Sequence, residues 1–308
     1  MRRTSEIDRN IGGRIRRDAG LYLLLLPAVL YALIFLYAPM GGVLIAFKDY
    51  SPTKGIFGSP WAGLKYFQRF LTAYNFKQIF LNTVFLSVYN LAAQFPIPII
   101  FALLLNQMRF KRLKKVVQTV SYAPHFISTV VLVGMLNVFL SPSTGVVNAI
   151  IKSMGGEAVY FLGKASLFRP VYVWSSVWQD MGRSAIIYIA ALTSIEQELH
   201  EAAMVDGASK FQRTLYIDIP GIMPTVVIML ILNLGRIMTV GFEKAYLMQN
   251  TLNITASEII STYVYKVGLL NAQFSLSTAI GLFNSVISCV LVVTVNFIAR
   301  RLGDTSLW

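Results

Sequence analysis

Charge is scarce in this chain of 308 residues: 13% of it is charged, about half the share usual for soluble domains, while 56% is hydrophobic. A soluble single-core protein is thereby excluded, because one core would leave too much apolar surface in water, and the bilayer becomes the natural solvent. Acid is scarcer than base, 14 residues against 27, for a net charge of +13. The basic residues occupy short segments between apolar runs rather than one face interleaved with aromatics, so the excess argues for a membrane and against nucleic acid. Cysteine is nearly absent. Cys289 stands inside an apolar run, which excludes an intrachain disulfide and a cysteine-based metal site and leaves the redox compartment open. No G-x-x-x-x-G-K-[ST] phosphate loop occurs, since Gly163-Lys164 is followed by Ala165 and lacks the earlier glycine. ATP, if it is used, is bound on another chain. His200-Glu201-Ala202-Ala203-Met204 starts like a zinc-protease helix, but Met204 stands where the second histidine ligand belongs. No internal repeat or low-complexity segment is evident.

Apolar runs are what the chain has in abundance. A helix rises 1.5 Å per residue, so about 20 apolar residues cross the hydrocarbon core. Six stretches qualify: Leu21 to Phe47, Gln78 to Asn106, Val116 to Leu140, Val171 to Ile195, Ile219 to Val240 and Phe274 to Ile298. The third carries His125, the fourth Asp180 and Arg183, and the fifth Arg236 late in its length. The expected fold class is all-α, a six-span polytopic membrane protein behind a basic tail over residues 1–19. Lys and Arg set the orientation. They crowd the short N-terminal tail, the Arg109–Lys115 segment, the loop with Lys210 and Arg213, and the end at Arg300 and Arg301. Both termini are therefore expected in the cytoplasm. The first run is too long for the apolar region of a signal peptide and no small-x-small site follows it, so it is expected to be retained. Pro27 and Pro39 in the first run, and Pro96 and Pro98 in the second, are packing kinks or hinges.

Between the fourth and fifth runs lies a polar island. Ser194 with Gln197 fits a capping box, and Glu196 and Glu198 fall where a helix dipole favours negative charge. A helix is predicted from about Ile195 to Val205. Asp206-Gly207 then breaks it, because glycine accepts positive φ. Ser209 with Gln212 is a second capping box, opening a short helix from Lys210 to about Tyr216. Pro220 and Pro224 follow at the start of the fifth run, where a first turn tolerates proline. Ala202 and Ala203 make one surface small enough for close approach, and Glu201 adds a carboxylate beside it. The shape suits docking; a merely solvated loop is the plainer alternative.

Glu201-Ala202-Ala203, with Gly207 four residues after Ala203 and Pro220 thirteen after that, resembles the EAA loop of binding-protein-dependent ABC importer permeases. The placement before the penultimate span matches as well, and the one departure is Ile219 where the family usually has leucine. The resemblance covers essentially the whole chain, with a core transmembrane domain over about 82–300 and a coupling loop over about 194–220. Leu26-Pro27-Ala28, Phe47-Lys48-Asp49-Tyr50, Gly241-Phe242-Glu243-Lys244 and the closing Asn296–Arg301 and Ser306-Leu307-Trp308 resemble the carbohydrate-importer branch typified by lipoprotein-linked polysaccharide permeases. What the resemblance implies is a type I importer permease of the bacterial cytoplasmic membrane that is no enzyme itself. It would form half of the pathway for an oligosaccharide or sugar. A second, related permease, two cytoplasmic ATPases holding ATP-Mg, and an extracytoplasmic solute-binding protein would complete the assembly. Glu201, Ala202, Ala203, Asp206, Gly207, Ala208 and Pro220 would form the contact with the ATPase.

Asp180 and Arg183 share a helical face, and charges inside a span usually face a bundle interior. Trp178 and Trp174 lie on nearby turns. Trp178, Asp180, Arg183 and Glu243 are candidates for a substrate path. The simpler alternative pairs Asp180 with Arg183 near an interface where the tryptophans are anchors. His125 reads as structural rather than as a ligand. A rival function, an ion-coupled secondary transporter, would need a relay of intramembrane carboxylates and often an inverted repeat, and here Asp180 stands nearly alone.

Overall fold

The computed structural model describes residues 18–235, 237–238 and 241–302. The basic tail, Arg236 and the closing Ser306-Leu307-Trp308 lie outside the described residues. No strand occurs among those described, apart from one isolated antiparallel bridge between Lys48 and Trp61.

The first helix, α1, runs Ala19–Phe47, and none of its most apolar stretch is buried within the chain. A short helix, α2 (Lys65–Leu71), leads to α3 (Phe76–Asn106), which continues past a turn at Phe95 just before Pro96 and Pro98. Then come α4 (Lys111–Phe126), α5 (Thr129–Phe139), α6 (Val146–Ser153) and the 29-residue α7 (Ala165–Thr193). The polar island forms α8 (Gln197–Val205), and α9 runs Lys210–Gly235. The chain ends in α10 (Phe242–Met248), α11 (Ile260–Tyr265) and α12 (Phe274–Leu302).

Four of these helices, α1, α3, α9 and α12, are long and apolar enough to cross a membrane. The third expected span is not one helix. Its residues divide between α4 and α5, which meet at 100°. Pro124 sits in a tight turn, Ile127 and Ser128 are extended, and Ser128 Oγ caps α5 by accepting from the Val131 N–H at 3.3 Å. The basic cluster expected as a loop is largely helical, because α4 begins at Lys111. The fourth expected span lies within α7, whose length is about 43 Å at 1.5 Å per residue. Its charged side chains, not its length, keep it below the apolarity of the other four.

Proline placement explains two irregular turns. In α1 the Ala38 N–H reaches back five residues to Leu33, and Pro39 follows; in α9 the Ile219 N–H reaches Thr214, and Pro220 follows. Each wide π-turn skips the carbonyl that a proline leaves without a donor, so the helix continues. This corrects the expected short helix ending at Tyr216: Pro220 lies inside a continuous α9, ten residues from its start.

α7 is the axis of the fold and packs on α3, α4 and α9. Phe168, Tyr172, Val173 and Val177 bury against Leu86, Val133, Met248 and Ile259. A Cβ added at Gly182 would stand 2.2 Å from the Ser121 carbonyl oxygen, so α7 and α4 touch backbone to backbone there. On the other side Phe70, Ile79, Ile260 and Ile280 join α2, α3, α11 and α12.

The Phe47-Lys48-Asp49-Tyr50 segment has a structural role. Phe47 stacks on Trp61 at 5.8 Å, and the Tyr50 N–H donates to Ser275 Oγ at 2.9 Å, tying the loop to α12. Asp49 accepts from Tyr66 at 2.5 Å and from Lys65 at 2.9 Å. These donors, Tyr66 first, hold the Asp49 carboxyl below its usual range, and the same carboxylate raises Lys65.

Candidate functional site

The polar island is built from its two ends inward. The expected Ser194 capping box does not form, because α7 runs on to Thr193 and makes Ser194 its last residue. The Ser194 hydroxyl donates back to Ala191 at 2.8 Å. Glu196 is therefore the residue that opens α8, with Glu198 in the first turn. Gln197, released from the box, donates to Glu201 at 2.9 Å along the helix face.

At its far end α8 closes in a two-bond C-terminal turn. The Ala208 N–H donates to Ala203 at 2.8 Å and the Gly207 N–H to Met204 at 3.1 Å, with Gly207 at φ +80°. This Schellman arrangement needs the left-handed conformation that glycine adopts without strain. Asp206 is the C-cap, and its N–H still bonds Ala202 at 3.0 Å. The second capping box forms as the spacing predicts: the Ser209 N–H donates to Gln212 Oε1 at 2.7 Å, and the Gln212 N–H to Ser209 Oγ at 3.3 Å.

Glu201, Ala202, Asp206, Gly207 and Pro220 are exposed, while Ala203 and Ala208 are half-buried. Leu199, Met204 and Val205 of the same helix, and Phe211 at the start of α9, are exposed apolar side chains. A helix that exposes apolar side chains together with a carboxylate has a composition compatible with a protein contact.

The membrane-embedded candidates divide. Asp180 and Arg183 share a polar cleft of about 280 Å³ with Gln94, Ser184, Tyr188 and Asn233. Asp180 Oδ1 lies 2.9 Å from His125 Nδ1 and 3.7 Å from Arg183 Nε. His125 is a histidine satisfied by a carboxylate, and most of Arg183's donors remain unused by Asp180. Trp178 is elsewhere, in an apolar cavity of about 510 Å³ with Trp174, Leu136 and Phe161. Glu243 is exposed on α10 and lines neither space. Its neighbour Lys244 turns inward and is buried. It donates to the Tyr172 carbonyl at 3.1 Å and to Ser176 Oγ at 2.6 Å. The sequence held no sign of that orientation, because the short helix that aims Lys244 follows from its packing on α5 and α7. Among the described residues no group of three or more His, Cys, Asp or Glu is placed to hold a metal.

Apolar helices around a central charged one, with a shaped polar joint on one side and a polar cleft inside, define a membrane transport subunit. Residues 94–304 match the family model described as the binding-protein-dependent transport system inner membrane component, and the chain belongs to that family. It is 44% identical over 294 residues to Protein LplB of Bacillus subtilis (strain 168), covering 96% of this chain and 92% of the relative. It is 43% identical over 288 residues to the polygalacturonan/rhamnogalacturonan transport system permease protein YteP of the same strain, covering 94% and 90%. The fold matches a chain of a bacterial ABC transporter involved in the import of the acidic polysaccharide alginate. The TM-score is 0.89, with 40% identity, 95% of this chain and 99% of that one. A chain from a bacterial alginate ABC transporter in complex with an alginate pentasaccharide-bound periplasmic protein matches with a TM-score of 0.90 and 39% identity, covering 97% and 100%. The chain is thus a membrane-spanning permease of an ABC importer, a transporter component and not an enzyme, and the secondary-transporter alternative falls with that assignment.

Proposed function

We propose that this permease forms half of the pathway of an importer for oligosaccharides, those bearing uronic acids foremost. The observation that carries the coupling half of the proposal is α8 itself: a mostly exposed helix, ended by a glycine turn and carrying Glu201 as well as exposed Leu199, Met204 and Val205. Such a surface suits a groove on a cytoplasmic ATPase that holds ATP-Mg, one beneath each of two related permeases. The substrate half is supported by the polar cleft around Arg183 and by the polygalacturonan/rhamnogalacturonan and alginate systems to which the chain is similar. A guanidinium recognises a carboxylate through paired donors, and a solute-binding protein would deliver the sugar from outside. In this reading α7 is a sixth crossing helix whose charges face the pathway, both termini are cytoplasmic, and the membrane is the bacterial cytoplasmic membrane.

Reconstitution into liposomes with the second permease, the ATPase and the binding protein tests this reading. Uptake of a labelled uronate oligosaccharide should require ATP. Glu201→Ala with Gly207→Pro should release the ATPase on co-purification while leaving the permease inserted. Uptake by the chain alone on a proton or sodium gradient, or full activity of that double variant, would sink it.

A further inference from the structure

Of the nine residues of α8, His200 and Ala203 alone are not fully exposed. They stand three apart, so they form the inward stripe of the helix. Ala203 has no reach, and the side-chain connection between α8 and the transmembrane body therefore falls to His200. Its Nε2 lies 3.3 Å from Oδ1 of Asp218. Asp218 is 3% exposed, occupies the last position of the π-turn in α9, and directly precedes Ile219-Pro220.

The contact is close but incomplete. The direction of approach falls short of a hydrogen bond, so Oδ1 of Asp218 is buried without a donor. A buried carboxylate in that condition is strongly disfavoured, and a small movement of the ring would relieve it. Room for the movement exists. His200 and Asp218 border a cleft of about 560 Å³ with Asn106, Gln107, Arg109, Lys210, Arg213 and Thr214. Arg109, Lys210 and Arg213 are the other charged groups facing it, and Nε of Arg213 is likewise buried without a partner. Gln107 at the end of α3 also donates to Thr214 in the same cleft, which anchors the start of the π-turn.

We infer that His200 and Asp218 are positioning residues that pin α8 to α9. The pin carries a displacement of the docked helix into the fifth expected span, and it tightens into a hydrogen bond in one state of the transport cycle. The inference rests on the reading of α8 as the ATPase-docking helix. In this polar cleft the histidine supplies what Ala203, the other inward residue of α8, lacks: a rigid ring donor that can reach a fixed acceptor across two elements that the chain joins through the Gly207 turn.

The test uses the complete reconstituted importer with His200→Ala, His200→Gln, Asp218→Asn and the His200→Gln/Asp218→Asn pair. Sugar transported per ATP hydrolysed should fall about tenfold in His200→Ala and Asp218→Asn while the ATPase still co-purifies, and the amide pair should recover most of it, the mark of coupled neighbours. If Asp218→Asn fails to fold, the two His200 variants alone carry the comparison, with glutamine retaining more transport than alanine. Wild-type stoichiometry in His200→Ala overturns the inference. Loss of ATPase co-purification in His200→Ala also overturns it, because the histidine would then shape the docking surface. Co-purification that survives Glu201→Ala with Gly207→Pro overturns the docking assignment instead, whatever the His200 variants do.

Discussion

Gly207 concentrates the logic of the loop in one residue. Its φ of +80° lies where side chains are strained, yet an added Cβ would meet nothing within 4 Å. The requirement is conformational rather than steric. Gly207→Asn should therefore be tolerated, and Gly207→Ala should cost the turn about 1 kcal/mol. Gly207→Pro should abolish uptake, since it fixes φ near −65° and removes the N–H that bonds Met204. Uptake by membrane vesicles, scored against permease content, should fall in that order. Ser209 and Gln212 were legible as a capping box because both partners lie within one turn. Ser194 departs from the expected N-cap because whether a serine starts one helix or ends another depends on where the preceding helix stops, and α7 stops at Thr193 with Ser194 as its C-cap.

Packing decides matters at the level of elements. Gly182 lets α7 lie against the backbone of α4 at Ser121. Gly182→Ala should lower stability by about 1–3 kcal/mol, seen as a lower Tm in detergent. Gly281→Ala on α12, where an added Cβ meets nothing within 4 Å, should leave Tm unchanged. The segment between α1 and α3 should respond to pH. Asp49 is held below its ordinary value, so its contribution is complete above the unfolded carboxylate range and is lost as pH falls through the lower folded value. Lys65 is held above its ordinary value, so its contribution is complete below that value and is lost as pH rises through the folded one. Amide protection in residues 48–66, measured relative to the intrinsic exchange rate at each pH, should be greatest between about pH 4 and 10, and Asp49→Asn should erase its acid limb.

For the molecule as a whole, the proposed half pathway would account for the polar and apolar surface that stays open. The cleft at Asp180 and Arg183 is bounded by three elements of this chain, α3, α7 and α9. A second permease would complete its wall. Arg183→Gln should raise KM for a uronate oligosaccharide about tenfold, the loss expected for one charged hydrogen bond, while a neutral oligosaccharide of equal length is little affected. ATP turnover stimulated by the loaded binding protein should stay near normal, which separates recognition from coupling.

Membrane class, helical fold, the glycine turn at Gly207 and the Ser209–Gln212 capping box are all legible in the chain alone. Long apolar runs, paired capping residues and a glycine at a helix end act over a few residues, and the bilayer enforces them without help from distant contacts. Only the tertiary structure decided that the third run breaks at Ile127-Ser128, that α9 swallows the second short helix, and that His125 belongs to Asp180. It also turned Lys244 inward and brought His200 to Asp218. The break and the continuous α9 are set nearby, at Pro124, Ser128 and the π-turn before Pro220; the His125, Lys244 and His200 contacts depend on side chains far apart in the chain meeting in the fold, where a buried charge needs a partner. Periodicity along the chain carries no record of that choice.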